Sequence, residues 1–345
     1  MTKAYLEYRG TVDQLCVGSL RFEKICLRHL LVWADENSFR DAPKIRPTLP
    51  EYLLDARLDG EDETLTRDYV KRILAAARRF FEWLSDEQQE YRTIKRTWIR
   101  TLQAKRMPVE PVRAEAVSFE EILAIAQAPV NNLKEERIRA AAVFWFLSGI
   151  RIGAFVTLPL RAVDLAKREV YQYPSWGVHT KNGKHATTYL LPITELLVVV
   201  EAWDAKVREV LPYDSYWFAH LSPRTGDIDP RCADIGQHRH NLARRNLQEW
   251  LERVGLPYHS PHKFRHGFVQ YGLDHSRDEA DRKAISLNVM HENMQITDAV
   301  YSRLKGEKIK SRLDGMVSND SGESEIEEMR RLIARFEQRL DQIQA

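Results

Sequence analysis

Between residues 258 and 301 the chain gathers His262, Arg265, His266, His291 and Tyr301: imidazoles, a guanidinium and a phenol in one stretch that otherwise reads as helical. His262 and Arg265 stand three apart, so on a helix they share a face and can address one ligand. A guanidinium flanked by imidazoles suits an anion with several oxygens, above all a phosphate. Pro261 fits the first turn of that helix and Ser260 its cap, so backbone amides there add positive potential. Taken alone, an H-x-x-R pair is more often solvated or satisfied in a core than part of a site.

The elements that must hold these groups can be read from periodicity. Phe22, Cys26, Leu30 and Trp33 recur at helical intervals over residues 19–35, with Ser19 available as a cap. Leu65, Tyr69, Ile73, Ala76, Phe80 and Leu84 form a second stripe over 64–85, and shorter helices are expected near 49–58 and 90–105. The first hundred residues therefore read as a small helical bundle. RMPVEPVRAEAV then interrupts the pattern with two prolines, and Ser118 with Glu121 makes a capping box that starts a new helix. Residues 1–107 are expected to be one domain, 108–117 a linker and 118–310 a second domain.

That second domain opens with a helix at 118–127 and a very apolar helix, AAAVFWFLSG, ending at Gly149, with Arg151 directly after it. RIGAFVTLPL reads as a further helical stretch. Past Asp164 the pattern turns strand-like in VYQYP, GVHT and HATTYLLPI. Asn182-Gly183 is a two-residue hairpin signal flanked by Lys181 and Lys184. Helices are expected again at 194–209, at 236–254 and through the 258–301 stretch. The fold class is mainly α with a small antiparallel β-sheet. In a tail over 311–345, Ile326, Met329, Ile333, Phe336, Leu340 and Ile343 step by three and four, a heptad seam too short to stand alone. It is expected to pack on a partner subunit or fold back on its own domain.

The chain has 345 residues and 43% apolar content, enough for two cores. Its net charge of +2, from 52 basic and 50 acidic side chains, argues neither for nor against nucleic acid. Distribution is more informative. From Arg92 to Arg113, seven basic residues (Arg92, Lys95, Arg96, Arg100, Lys105, Arg106, Arg113) accompany one acid, Glu110, with Tyr91 and Trp98 interleaved. That excess suits a phosphate backbone, and equally a solvated helix face. Cys16, Cys26 and Cys232 have neither disulfide-like nor metal-like spacing, which favours a reducing, cytoplasmic setting. No apolar run has membrane-spanning length, and MTKAYLEYRG lacks a signal peptide's apolar core.

Arg151 in SGIRIGAFVTL, Lys181 in TKNGK, His262 and Arg265 in SPHKFRHGF, then His291 and Tyr301 in VMHENMQITDAVYSRL, in that order, resemble the tyrosine recombinase (phage integrase) family over about residues 10–310. The resemblance implies a helical core-binding domain followed by a mixed α/β catalytic domain. It implies that Tyr301 attacks a scissile DNA phosphate, freeing a 5′-hydroxyl and leaving a 3′-phosphotyrosyl link. Arg151 and Arg265 would clamp the non-bridging oxygens, with His291 hydrogen-bonding them. His262 would assist proton transfer at the tyrosine, and Lys181 would be the general acid. A phenol has a pKa of about 10, so a cationic cradle and a base are what such an attack requires near neutrality. The phosphotyrosyl bond conserves energy, so no cofactor, neither nucleotide nor metal, is called for. The implied partner is duplex DNA at a recombination site, bound by a homotetramer that exchanges strands through a Holliday junction in DNA recombination or integration.

The chain departs from the family's pattern at several points. Ala154 stands where an acidic residue is usual, and Met290 where glycine is common. The His291–Tyr301 segment is one residue longer than usual. Pro192 comes later than usual after Lys181, which leaves Lys184 as a rival general acid. His266 is assigned to a bracing hydrogen bond, and Tyr258 and Tyr271 to packing. Two other readings stay open: a type IB topoisomerase-like enzyme, and an inactive DNA-binding or architectural protein on the same fold.

Overall fold

The structure is a computed structural model describing residues 1–56, 64–104, 115–230, 236 and 238–290. The expected groups Lys105, Arg106, Arg113, Cys232, His291 and Tyr301, and the tail seam, lie outside the described residues. The chain divides into two compact units, Met1–Pro111 and Val112–Ala345.

The first unit consists of α1 (Thr2–Thr11), α2 (Val17–Ala34), α3 (Leu49–Asp55), α4 (Arg67–Glu87) and the single turn α5 (Arg96–Ile99). The expected stripe on α4 is its core face: Ile73, Ala76, Phe80 and Leu84 are buried. On α2, Cys26, Leu30 and Trp33 are buried, whereas Phe22 is 36% exposed. Ser19 is not a cap, because the helix begins two residues earlier with Cys16 as N-cap, and Ser19 instead meets the Cys16 thiol at 3.3 Å. α1 lacks a clear apolar stripe in the sequence. Tyr5 anchors it, donating from its hydroxyl to buried Glu23 at 2.9 Å. Arg79 completes that group with bonds of 3.1 and 2.6 Å, so the buried carboxylate is paired on two sides.

The second unit is built around α7 (Leu133–Ser148), which follows α6 (Phe119–Gln127). Phe144, Trp145, Phe146 and Leu147 are all fully buried, as suits a helix whose C-terminal half is apolar all round. Each contributes roughly 2 kcal/mol of burial by area bookkeeping. Both ends of α7 are set by chemistry. Asn132 accepts from the Glu135 amide at 3.0 Å, and Gly149 closes the helix at φ +62°. The capping box of α6 is formed as expected, with bonds of 2.7 and 3.1 Å between Ser118 and Glu121.

RIGAFVTLPL is helical for only one turn, α8 (Ile152–Phe155), because Thr157 turns its hydroxyl back onto the Gly153 and Ala154 carbonyls and Pro159 follows. β1 (Val163–Asp164), β2 (Glu169–Gln172) and β3 (Ala186–Tyr189) form an antiparallel sheet in that order, with Gln172 opposite Ala186. GVHT is therefore not a strand. Asn182 and Gly183 do take positive φ, 59° and 63°, yet they cap a long β2–β3 excursion instead of joining paired strands. α9 (Thr194–Val210), α10 (Arg239–Arg253), α11 (Pro261–Asp274) and α12 (Glu279–Asn288) complete the unit. α9, α10 and α11 all pack on α7. Arg253 grips Glu135 with two bonds of 2.7 Å, which fixes α10 against the start of α7. Among the described residues no helix is long and apolar enough to cross a membrane.

Candidate active site

The second unit holds a cleft of about 360 Å³, bounded by the start of α8, the 179–181 turn, the N-terminus of α11 and one residue of α10. Arg151, Lys181 and His262 line it, so three side chains far apart in sequence meet on one surface. Ala154, His179, Pro261 and Arg244 line it as well, and among the described residues no aspartate or glutamate does. Arg151 is the N-cap residue of α8, half-buried and directly beyond the rigid end of α7. Lys181 is exposed and faces the cleft; Lys184 is half-buried and does not line it.

Pro261 occupies the first position of α11, as its fixed φ favours, but the Ser260 hydroxyl makes no capping bond. His262 stays exposed at the cleft mouth. Partial burial of its ring, followed by the charges of Arg265, Arg151, Lys263 and Arg244, holds its pKa below the usual imidazole value. The neutral form that can accept a proton is thereby favoured. His266 is half-buried, with its ring edge-on to His262 at 4.4 Å between centroids.

Arg265 lies behind the cleft, only 3% exposed, and is not among the lining residues. Its Nη1 donates to the Gly149 carbonyl at 2.5 Å and its Nη2 to the Val289 carbonyl. Burial first, and the Arg151 charge second, push its pKa down to about 9. Arg265 thus joins the end of α7, two residues before Arg151, to the end of α12, two residues before His291. Asn288 makes the same join from the other side. Its amide donates to the Ser148 carbonyl at 3.3 Å and the Tyr189 carbonyl at 3.0 Å, while its oxygen accepts from the Tyr189 amide at 2.7 Å. A Cβ on Gly149 would stand 2.8 Å from Val289 and 2.9 Å from Phe268 in the same joint.

Met290 takes φ +53°, a left-handed conformation that glycine adopts without steric cost. The expected packing of Tyr271 is seen, against Phe119 at 5.1 Å and His275 at 4.1 Å between centroids. Tyr258, by contrast, is 42% exposed. In the first unit, Arg92, Lys95 and Arg100 are exposed, and Arg96 is paired with Asp86 at 2.8 Å.

Sequence reasoning passed over Arg244, His179 and Asn288. Their importance comes from tertiary neighbours, and no local motif marks them.

Residues 115–308 match the phage integrase family, a span that covers more than half of the chain and runs through Arg151, His262, His291 and Tyr301. The chain belongs to this family of tyrosine recombinases. It is 24% identical to the tyrosine recombinase XerC of Escherichia coli O157:H7 over 322 residues, 90% of this chain and 93% of that protein. It is 26% identical to XerC of Actinobacillus pleuropneumoniae serotype 7 over 234 residues, 67% of this chain and 66% of that protein. In fold it is similar to a lambda integrase dimer bound to a core site, with a TM-score of 0.56 at 13% identity over 87% of this chain and 94% of that one. It is also similar to the Tn1549 transposon integrase in complex with transposon right end DNA, with a TM-score of 0.55 at 13% identity over 92% and 98%.

Proposed function

We propose that this chain is an active site-specific recombinase that cuts and rejoins duplex DNA through a 3′-phosphotyrosyl intermediate at Tyr301. The observation that carries the reading is the cleft in which Arg151, Lys181 and His262 converge, with no lining carboxylate among the described residues, within a family match that continues through His291 and Tyr301. The Tyr301 oxygen attacks the scissile phosphorus while its proton passes to neutral His262. Arg151, with His291, stabilises the non-bridging oxygens as charge builds on them, and Arg265, whose terminal nitrogens hold the Gly149 and Val289 carbonyls, adds its positive charge from behind the cleft instead of clamping those oxygens. Lys181, on the cleft where Lys184 is not, protonates the departing 5′-oxygen. Rejoining reverses these steps with a 5′-hydroxyl as the nucleophile.

The helical first unit supplies further backbone contacts through Arg92, Lys95, Arg96, Arg100, Lys105 and Arg106. The Arg96–Asp86 pair must open for Arg96 to take part, an inexpensive step for an exposed ion pair. Four protomers on two DNA sites would exchange strands through a four-way junction.

A nicked suicide duplex made from the DNA flanking the gene tests the reading. Wild type is expected to give a DNA-linked protein band on a denaturing gel, and Tyr301→Phe none, with DNA binding kept in both. Binding without any covalent band in wild type would favour an inactive DNA-binding protein. Relaxation of a supercoiled plasmid lacking any such site would favour a topoisomerase.

A further inference from the structure

The arginines of α10 divide sharply by what they touch. Arg239 donates through Nε to the Val156 carbonyl at 3.1 Å and through Nη2 to the Phe218 carbonyl. Arg245 reaches Glu249 at 3.7 Å, and Arg253 forks onto Glu135. Arg244 is different. It is exposed, it lines the cleft with Arg151, Lys181 and His262, and among the described residues it has neither a hydrogen bond nor an ion pair.

Its placement is set by its helix. Ala243, Leu247, Trp250 and Leu251 bury one side of α10, with Arg244 at the edge of that side, and Arg253 fixes the far end. A guanidinium held beside three other cationic or protonatable groups, with no carboxylate in the lining among the described residues, is electrostatically unfavourable until an anion enters. The cleft is also larger than a single phosphate needs.

We propose that Arg244 is a further DNA-phosphate ligand of the recombinase site, binding the sugar-phosphate backbone at the cleft beside the scissile position. This inference rests on the recombinase reading. Its charge also bears on His262, which Arg265 and Lys263 of α11, Arg151 at the start of α8, Arg244 of α10 and the His266 ring all face. Removing one of these cations raises the imidazole's pKa, and the acid side of the cleavage profile moves to higher pH.

Arg244→Ala, Arg244→Gln and Arg244→Lys test the assignment, each in the full chain and each also combined with Tyr301→Phe so that binding is read without cleavage. Affinity is measured against salt on the flanking-sequence duplex and on a scrambled duplex of equal length. In Ala and Gln the log–log slope is expected to fall by about one on both duplexes, and Lys is expected to restore it. Single-turnover trapping is expected to slow about tenfold or more in Ala and Gln, with the acid limb shifted upward and Lys near wild type. An unchanged slope in Ala and Gln overturns the phosphate contact, and so does a loss confined to one of the two sequences. If wild type forms no covalent band, the recombinase reading fails separately, and the binding slopes still decide the Arg244 contact.

Discussion

Met290 and Gly149 share a left-handed backbone conformation in the same joint but differ in whether they carry a side chain. Met290 sits at φ +53° with a side chain, and Gly149 at φ +62° without one. Met290→Gly is therefore expected to raise stability by up to about 1 kcal/mol, since it relieves a left-handed non-glycine residue. Gly149→Ala is expected to lower stability by about 2 kcal/mol or more, because strain and close contact with Val289 and Phe268 add. Chemical denaturation of both variants checks the pair. Equal midpoints would show that the joint tolerates either residue. The sequence carried the departure at Met290 without its reason. The reason is a dihedral angle, fixed only when α12 ends against α7. Arg244 was silent for a similar cause: four arginines on one helix look alike until their partners are known.

The ends of α7 and α12 are held together by Asn288 and Arg265, and the chain runs on from those ends to Arg151 and to His291, the two segments proposed to carry the chemistry. Asn288→Ala removes three hydrogen bonds with the β3 edge and the α7 terminus. It is expected to cost about 1–3 kcal/mol, with Asn288→Asp only partly compensating because its carboxylate cannot donate. Cleavage is expected to fall further than binding, since the start of the His291–Tyr301 segment loses its register. Parallel measurement of thermal stability, DNA affinity and trapping rate separates these effects, and equal losses in affinity and rate would argue against the positioning role. α7, the stripe of α4 and the capping box of α6 were legible because periodicity and caps are local signals. The single turn of α8 and the long β2–β3 excursion were not. Apolar content cannot reveal that Thr157 folds back on its own helix, and an Asn-Gly turn does not say whether strands flank it.

At the scale of the whole molecule, each unit has its own apolar core, one on α2 and α4 and the other on α7. In the sequence the prolines at 108 and 111 interrupt the helical periodicity, and the boundary between the two compact units falls at Pro111. The seam from Ile326 to Ile343 is the sequence feature on which the proposal of assembly rests. Removal of residues 318–345 is expected to weaken assembly on DNA while leaving cleavage of a single bound site largely intact. Native gels of the complexes beside the trapping assay check this, and unchanged assembly would remove the seam's proposed use.

Tyr301 is proposed to form the covalent bond to DNA, served by the cleft of Arg151, Lys181 and His262. The most direct test of that proposal is to digest the trapped protein–DNA complex and map the DNA-linked peptide by mass spectrometry. A single adduct is expected, on the peptide containing Tyr301, attached to a 3′-phosphate. An adduct on Tyr258, the exposed tyrosine beside the histidine-arginine segment, or a linkage to a 5′-phosphate, would contradict it.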